Sequence, residues 1–217
     1  MDSTKLKNPK PKHKFFDKIL DNNLDSLYEY LYQKAQDLID GKIGNIPEDV
    51  LSRFNIVNGP ATQLGEYYNI FTWDNAEILK LKEALKNIII EACDYYGIDF
   101  EGEDYHINGW FNLDFKSPDN EMYGVSPIRH PEHYHDHAGG TGAPVFHGYY
   151  CVNAEPSSTF YKIDRLVDFE NINKNNRAII SETGHPHGRD DWYEEKPRIT
   201  IAYDIAKKET IRNGIKL

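Results

Sequence analysis

Cysteine is scarce in this chain. Cys93 and Cys151 are the only two, too few for a disulfide framework. Long apolar runs are missing as well: no stretch approaches the roughly 20 residues that a membrane helix needs. The first fourteen residues, MDSTKLKNPKPKHK, have lysines but no apolar stretch behind them, so no signal peptide is expected. Positive charge is in deficit, with 25 Lys and Arg against 35 Asp and Glu and a formal net charge of -10. A surface that negative repels phosphate backbones, which argues against duplex nucleic acid as the main partner. These absences lead to the expectation of a soluble, cytoplasmic protein with no membrane partner.

What the chain does have is enough apolar sequence to build a core. Hydrophobic residues make up 39% of its 217 positions and charged residues 28%, the balance of a globular protein of one extended domain or two small ones. Histidine is unevenly placed. Of nine histidines, seven fall between His130 and His187. Imidazole suits first-row metals and proton transfer near neutral pH, so the cluster marks a candidate site.

The texture changes once along the chain. Residues 1–14 read as a flexible basic tail. Residues 15–103 read as a mostly helical support region. Leu24, Leu27, Tyr28, Leu31, Ala35, Leu38 and Ile39 form one helical stripe, and Ile78, Leu81, Leu85, Ile88, Ile89, Ala92 and Tyr96 form another. Asp74 with Glu77 predicts a capping box for the second helix, and Gly97 predicts its stop. Tyr67 to Trp73 reads as a short strand or packing segment. After Gly97, short aromatic and β-branched runs alternate with Gly, Pro, Asn and Asp: His106–Phe115, Val145–Asn153, Ser158–Ile163, Arg177–Ser181 and Arg198–Ile205. Short strands at such spacing predict a sandwich or barrel over residues 104–217, and the whole chain is α+β.

The densest chemistry is His133-Tyr134-His135-Asp136-His137. On an extended strand alternate side chains share a face, so His133, His135 and His137 point one way. Two imidazoles at i and i+2 can grip one metal ion, with a third ligand from another strand. His185 and His187, also at i and i+2, are the distal candidates. The run Arg198-Ile199-Thr200-Ile201-Ala202-Tyr203-Asp204-Ile205 alternates strictly. Ile199, Ile201, Tyr203 and Ile205 form its apolar face, while Arg198 and Thr200 on the other face suit a small dicarboxylate through a guanidinium fork and a hydroxyl donor.

The order of these parts resembles the 2-oxoglutarate- and Fe(II)-dependent oxygenases, in particular a branch found in many bacterial and phage genomes. The residues that carry the resemblance are Trp110-Phe111-Asn112, His135-Asp136-His137, His147-Gly148-Tyr149-Tyr150-Cys151-Val152, His187 and Pro197-Arg198-Ile199-Thr200-Ile201-Ala202-Tyr203-Asp204. The resemblance spans about residues 105–206. It implies a double-stranded β-helix (a jelly-roll, cupin-like core) with N-terminal supporting helices packed on one sheet. It implies Fe(II) held by His135, His137 and His187, with His187 preferred to His185 because it stands eleven residues before Arg198. His133, then Asp136, are the substitutes for His137. The resemblance also implies 2-oxoglutarate as cosubstrate, its far carboxylate on Arg198 and Thr200, with Tyr150 as a third contact and Tyr149 facing away. The reaction implied is oxidative decarboxylation of 2-oxoglutarate coupled to hydroxylation of a small-molecule or peptidyl substrate, in a monomer or homodimer. Most of the superfamily pairs its first histidine with an aspartate two residues on; here that position is His137, which leaves the site one negative charge short. The competing readings are a cupin-like three-histidine metalloenzyme that does not use 2-oxoglutarate and a non-catalytic jelly-roll binding module.

Overall fold

Two buried stripes become two long helices. A computed structural model describes residues 12–54, 56, 64–101, 104–116, 135, 145–164, 167–211 and 213–217. Helix α1 (Leu24–Ile39) begins where the Asn23 side chain accepts a hydrogen bond from the Ser26 amide, satisfying a donor that a helix start leaves open. Its residues Leu27, Leu31, Ala35 and Leu38 are fully buried. A short helix, α2 (Glu48–Leu51), follows. Helix α3 (Ala76–Tyr96) ends at Gly97, whose φ of 68° is the left-handed conformation that glycine adopts without strain.

The cap of α3 differs from the expected Asp74–Glu77 box. Asn75 is the cap, its side-chain oxygen accepting from the Glu77 and Ile78 amides. Glu77 is directed to the other helix: its Oε2 accepts from the Asn23 amide at 3.0 Å. One carboxylate therefore ties the starts of α1 and α3 together. The segment expected as a short strand or packing segment, Tyr67 to Trp73, is not a strand: two tight 3-10 turns form at Gly65–Tyr67 and Ile70–Thr72, and Ile70 and Phe71 are buried. Asn69, between them, holds the neighbouring strand through bonds to Ile107 and Gly109.

Among the described residues from Tyr105 onward the strands are antiparallel. They are β2 (Tyr105–Asp114), β3 (Phe146–Asn153), β4 (Ser158–Asp164), β5 (Val167–Ile172), β6 (Arg177–Glu182), β7 (His187–Arg189), β8 (Arg198–Lys207) and β9 (Ile215–Lys216). One strand comes from the region expected to be mostly helical: β1 (Phe16–Ile19) pairs with β6 at the edge of the larger sheet. Its four residues bury only Phe16, too little pattern to register as a strand from sequence. The larger sheet runs β1-β6-β3-β8-β2-β9 and the smaller β5-β4-β7.

The larger sheet has two different faces. Tyr150, Val152, Ile199, Ile201, Tyr203 and Ile205 join the helices in the main core. Tyr149, Cys151 and Ile179 point the other way and pack on Tyr161 of the smaller sheet. The period of two assigns these faces, since neighbours on a strand alternate. Gly148 is required by this arrangement. A Cβ there would lie 2.0 Å from the Ile179 carbonyl oxygen and 2.5 Å from the Tyr203 ring, and the Tyr203 hydroxyl sits within hydrogen-bond distance of the Tyr149 and Ile179 carbonyls.

Candidate active site

A cavity of about 550 Å³ opens between the two sheets. Its walls follow from strand alternation. β2 contributes Trp110, Asn112 and Asp114; β3 contributes His147 and Tyr149; β8 contributes Arg198, Thr200 and Ala202; Thr159, His187 and Arg189 come from the smaller sheet.

Two of the expected metal ligands meet in this cavity. His135 and His187 form a two-way backbone bridge, with N–H to O distances of 3.0 and 2.9 Å. Their rings lie 4.3 Å apart, centroid to centroid. The His187 Nδ1 is 3.2 Å from the His185 carbonyl oxygen. A carbonyl can only accept, so Nδ1 carries the proton and Nε2 keeps its lone pair for a metal ion. His185 itself does not line the cavity. His137, His133 and Asp136 lie outside the described residues.

His147 also reaches the cavity, stacked on His187 with centroids 4.5 Å apart. Its Nε2 is engaged with the Ser181 hydroxyl at 2.9 Å. Among the described residues, His135, His147 and His187 do not bring three ligand atoms within 4.8 Å of one another. His147 therefore packs against His187 without forming a three-ligand group with His135 and His187.

On the opposite wall Arg198 is nearly fully buried, with 3% of its surface exposed. Its Nη1 donates to Asp114 Oδ2 at 3.0 Å, while Nε is buried with no hydrogen-bond partner. Leaving a guanidinium donor unpaired in a buried site is costly, and an acceptor placed there would relieve that cost. Asp114 also accepts from Arg189 Nη2 at 2.6 Å. Two guanidiniums share one carboxylate, so the wall keeps one net positive charge, the complement of a ligand carboxylate. Thr200 Oγ1 accepts from Asn112 at 3.1 Å; a hydroxyl can accept and donate at once.

Tyr150 corrects an expectation. It points to the helices, where it is fully buried and donates to Asn176 Oδ1. Tyr149 is the tyrosine in the cavity wall. The alternation of the two tyrosines was legible, but its phase was not. Gly148 carries no side chain to mark which face is the helical one. Burial pushes the Tyr149 phenol well above its ordinary range, so it stays a neutral hydroxyl at any ordinary pH.

No protein-family model matches the chain, and no curated protein is similar to it in sequence. Solved structures are similar in shape. A prolyl-4-hydroxylase from Pseudomonas putida superposes with a TM-score of 0.51 at 8% identity, over 94% of this chain and 88% of that one. The chain shares its fold. Two further structures are the non-heme α-ketoglutarate-dependent epimerase SnoN from nogalamycin biosynthesis and the nickel complex of the non-heme monooxygenase ThoJ. SnoN gives a TM-score of 0.47 at 12% identity over 91% of this chain and 78% of its own. ThoJ gives 0.48 at 11% over 95% and 80%.

Sequence reasoning did not single out Asp114, Arg189 or His147 as cavity residues. The signal was present for the first two. Asp114 lies two residues after Asn112 and Arg189 two after His187, so counting by two reaches both, whereas His147 lies two before Tyr149, the tyrosine expected to face away.

Proposed function

We propose that this protein is a 2-oxoglutarate- and Fe(II)-dependent oxygenase with a double-stranded β-helix core. The observation that carries the reading is the pairing of two features across one cavity. His135 and His187 stand ring to ring on one wall, and Arg198 offers a buried, unsatisfied Nε on the other. The sheet orders β1-β6-β3-β8-β2-β9 and β5-β4-β7, with His135 bridged to β7, suit a jelly-roll whose metal lies between the sheets.

The residues fit the groups. His187, with its Nδ1 proton fixed by the His185 carbonyl, presents Nε2; His135 is its neighbour, and His137 is the third ligand in this reading. Iron with 2-oxoglutarate supplies dioxygen activation: 2-oxoglutarate, dioxygen and a C–H bond give succinate, carbon dioxide and an alcohol. The protein's part is binding and orientation. Arg198 and Thr200 hold the far carboxylate of 2-oxoglutarate, and Asp114 fixes the Arg198 fork from behind. Tyr149, Trp110 and Ala202 line the space beside it. The substrate is a small molecule or a peptidyl side chain.

The test is succinate production from 2-oxoglutarate by the Fe(II)-loaded protein in air. The wild type forms succinate, and His187→Ala does not. Arg198→Met loses about 2–5 kcal/mol of 2-oxoglutarate affinity, the range for breaking a desolvated ion pair. Equal calorimetric affinity in wild type and Arg198→Met would favour the three-histidine enzyme that does not use 2-oxoglutarate.

A further inference from the structure

A second group of metal-type ligands lies outside the cavity. His13 precedes β1, Glu182 ends β6, and His185 sits in the turn between β6 and β7. One ligand atom from each lies within 4.8 Å of the other two. The His13 and His185 rings are 4.2 Å apart and nearly perpendicular, at 75°. All three residues are half-buried, and none lines the cavity.

Local structure builds this meeting point. β6 delivers Glu182 at its last position. Gly184 then takes a φ of 92°, open to glycine without strain, and the turn carries His185 back towards Glu182. On the other side His13 is held between anchored neighbours. Tyr95 donates to the Lys12 carbonyl at 3.1 Å, and the Lys14 amide donates to the Tyr96 hydroxyl at 3.1 Å. Phe15 then packs on Tyr161, with centroids 4.8 Å apart. The carboxylate and one imidazole thus come from the β6–β7 connection, and the second imidazole from an N-terminal segment held separately.

Two imidazole nitrogens and one carboxylate oxygen are a donor set for zinc and its first-row neighbours, with water in the remaining position. We propose that His13, Glu182 and His185 form a second, structural site for a divalent first-row cation of the zinc type. The cation clamps the N-terminal segment onto the β6–β7 turn. It also steadies the cavity, because the His185 carbonyl is the group that accepts from His187 Nδ1. The site shares no side chain with the cavity ligands, so it stands whether or not the cavity uses 2-oxoglutarate.

The experiment is a Co(II) titration of the metal-free, full-length protein, with bound metal counted after dialysis. His187→Ala, with His187→Gln as a second variant, keeps the ion at His13, Glu182 and His185. His13→Ala, Glu182→Gln and His185→Ala each weaken that ion by at least tenfold while retaining wild-type circular dichroism. Trypsin gives an independent readout. Zn(II) slows cleavage after Lys12 and Lys14 several-fold in wild type and in His187→Ala, but not in His13→Ala. The proposal is overturned if His13→Ala, Glu182→Gln and His185→Ala bind as much Co(II) as wild type, or if Zn(II) gives these sites equal protection with and without His13.

Discussion

Two adjacent tyrosines have opposite tasks, and single substitutions separate them. Tyr150 donates to Asn176 on the helix-facing side, whereas Tyr149 stands in the cavity wall with its oxygen accepting from Asn171 at 3.0 Å. Tyr150→Phe should cost stability by about 1 kcal/mol, the net worth of a typical hydrogen bond, and leave 2-oxoglutarate affinity unchanged. Tyr149→Phe should lower that affinity by roughly fivefold, the binding equivalent of a similar loss. Urea titration and calorimetry check the pair, and the reverse pattern would return the contact to Tyr150. Residue roles were legible wherever alternation could be anchored. The strict pattern from Arg198 to Ile205 fixed that strand's faces, and Arg198, Thr200 and Ala202 do line the cavity. His147 escaped because its engagement with Ser181 is a contact between strands, which no local pattern carries.

At the scale of elements, caps and close approaches decide more than propensity. Asn75 satisfies two amides at the start of α3, so Asn75→Ala should destabilise the protein by about 1 kcal/mol. Asp74→Ala should cost much less, since Asp74 is not the cap; urea midpoints distinguish the two. Gly148→Ala should be worse than the roughly 1–3 kcal/mol of ordinary overpacking, because its Cβ would meet backbone at 2.0 Å. Thermal melting checks this, and an unchanged Tm would mean that the β3–β6 spacing is looser than described. The long helices and the five patterned strands were readable because each repeats its burial signal several times. β1, β5, β7 and β9 were not, and β1, β7 and β9 have only four, three and two residues. Such short strands exist because neighbouring strands offer unpaired backbone groups, a tertiary cause that leaves little trace in sequence.

For the whole molecule, both thiols report on the integrity of the core. Cys93 packs among the helices and Cys151 between the sheets. Burial pushes each thiol from 9.0 up to about 11. The unfolded chain therefore releases these protons first as pH rises, and stability falls between about pH 9 and 11. A lower urea midpoint at pH 10.5 than at pH 8 in wild type, with a smaller drop in Cys151→Ala, is the expected result. The switch from helices to antiparallel strands after Gly97 was legible as a change of period. The contribution of Phe16–Ile19 to the edge of the larger sheet was not, since it depends on chain segments far apart in sequence; the meeting of His135 with His187 was expected from the family resemblance and not from any local pattern. That meeting is the centre of the account. An anaerobic crystal structure with Mn(II) and 2-oxoglutarate tests it most directly. The expected result is one ion within about 2.0–2.3 Å of His135 and His187 nitrogens, with the far carboxylate of 2-oxoglutarate against Arg198 and Thr200. An ion on neither histidine, or 2-oxoglutarate bound away from Arg198, would contradict it.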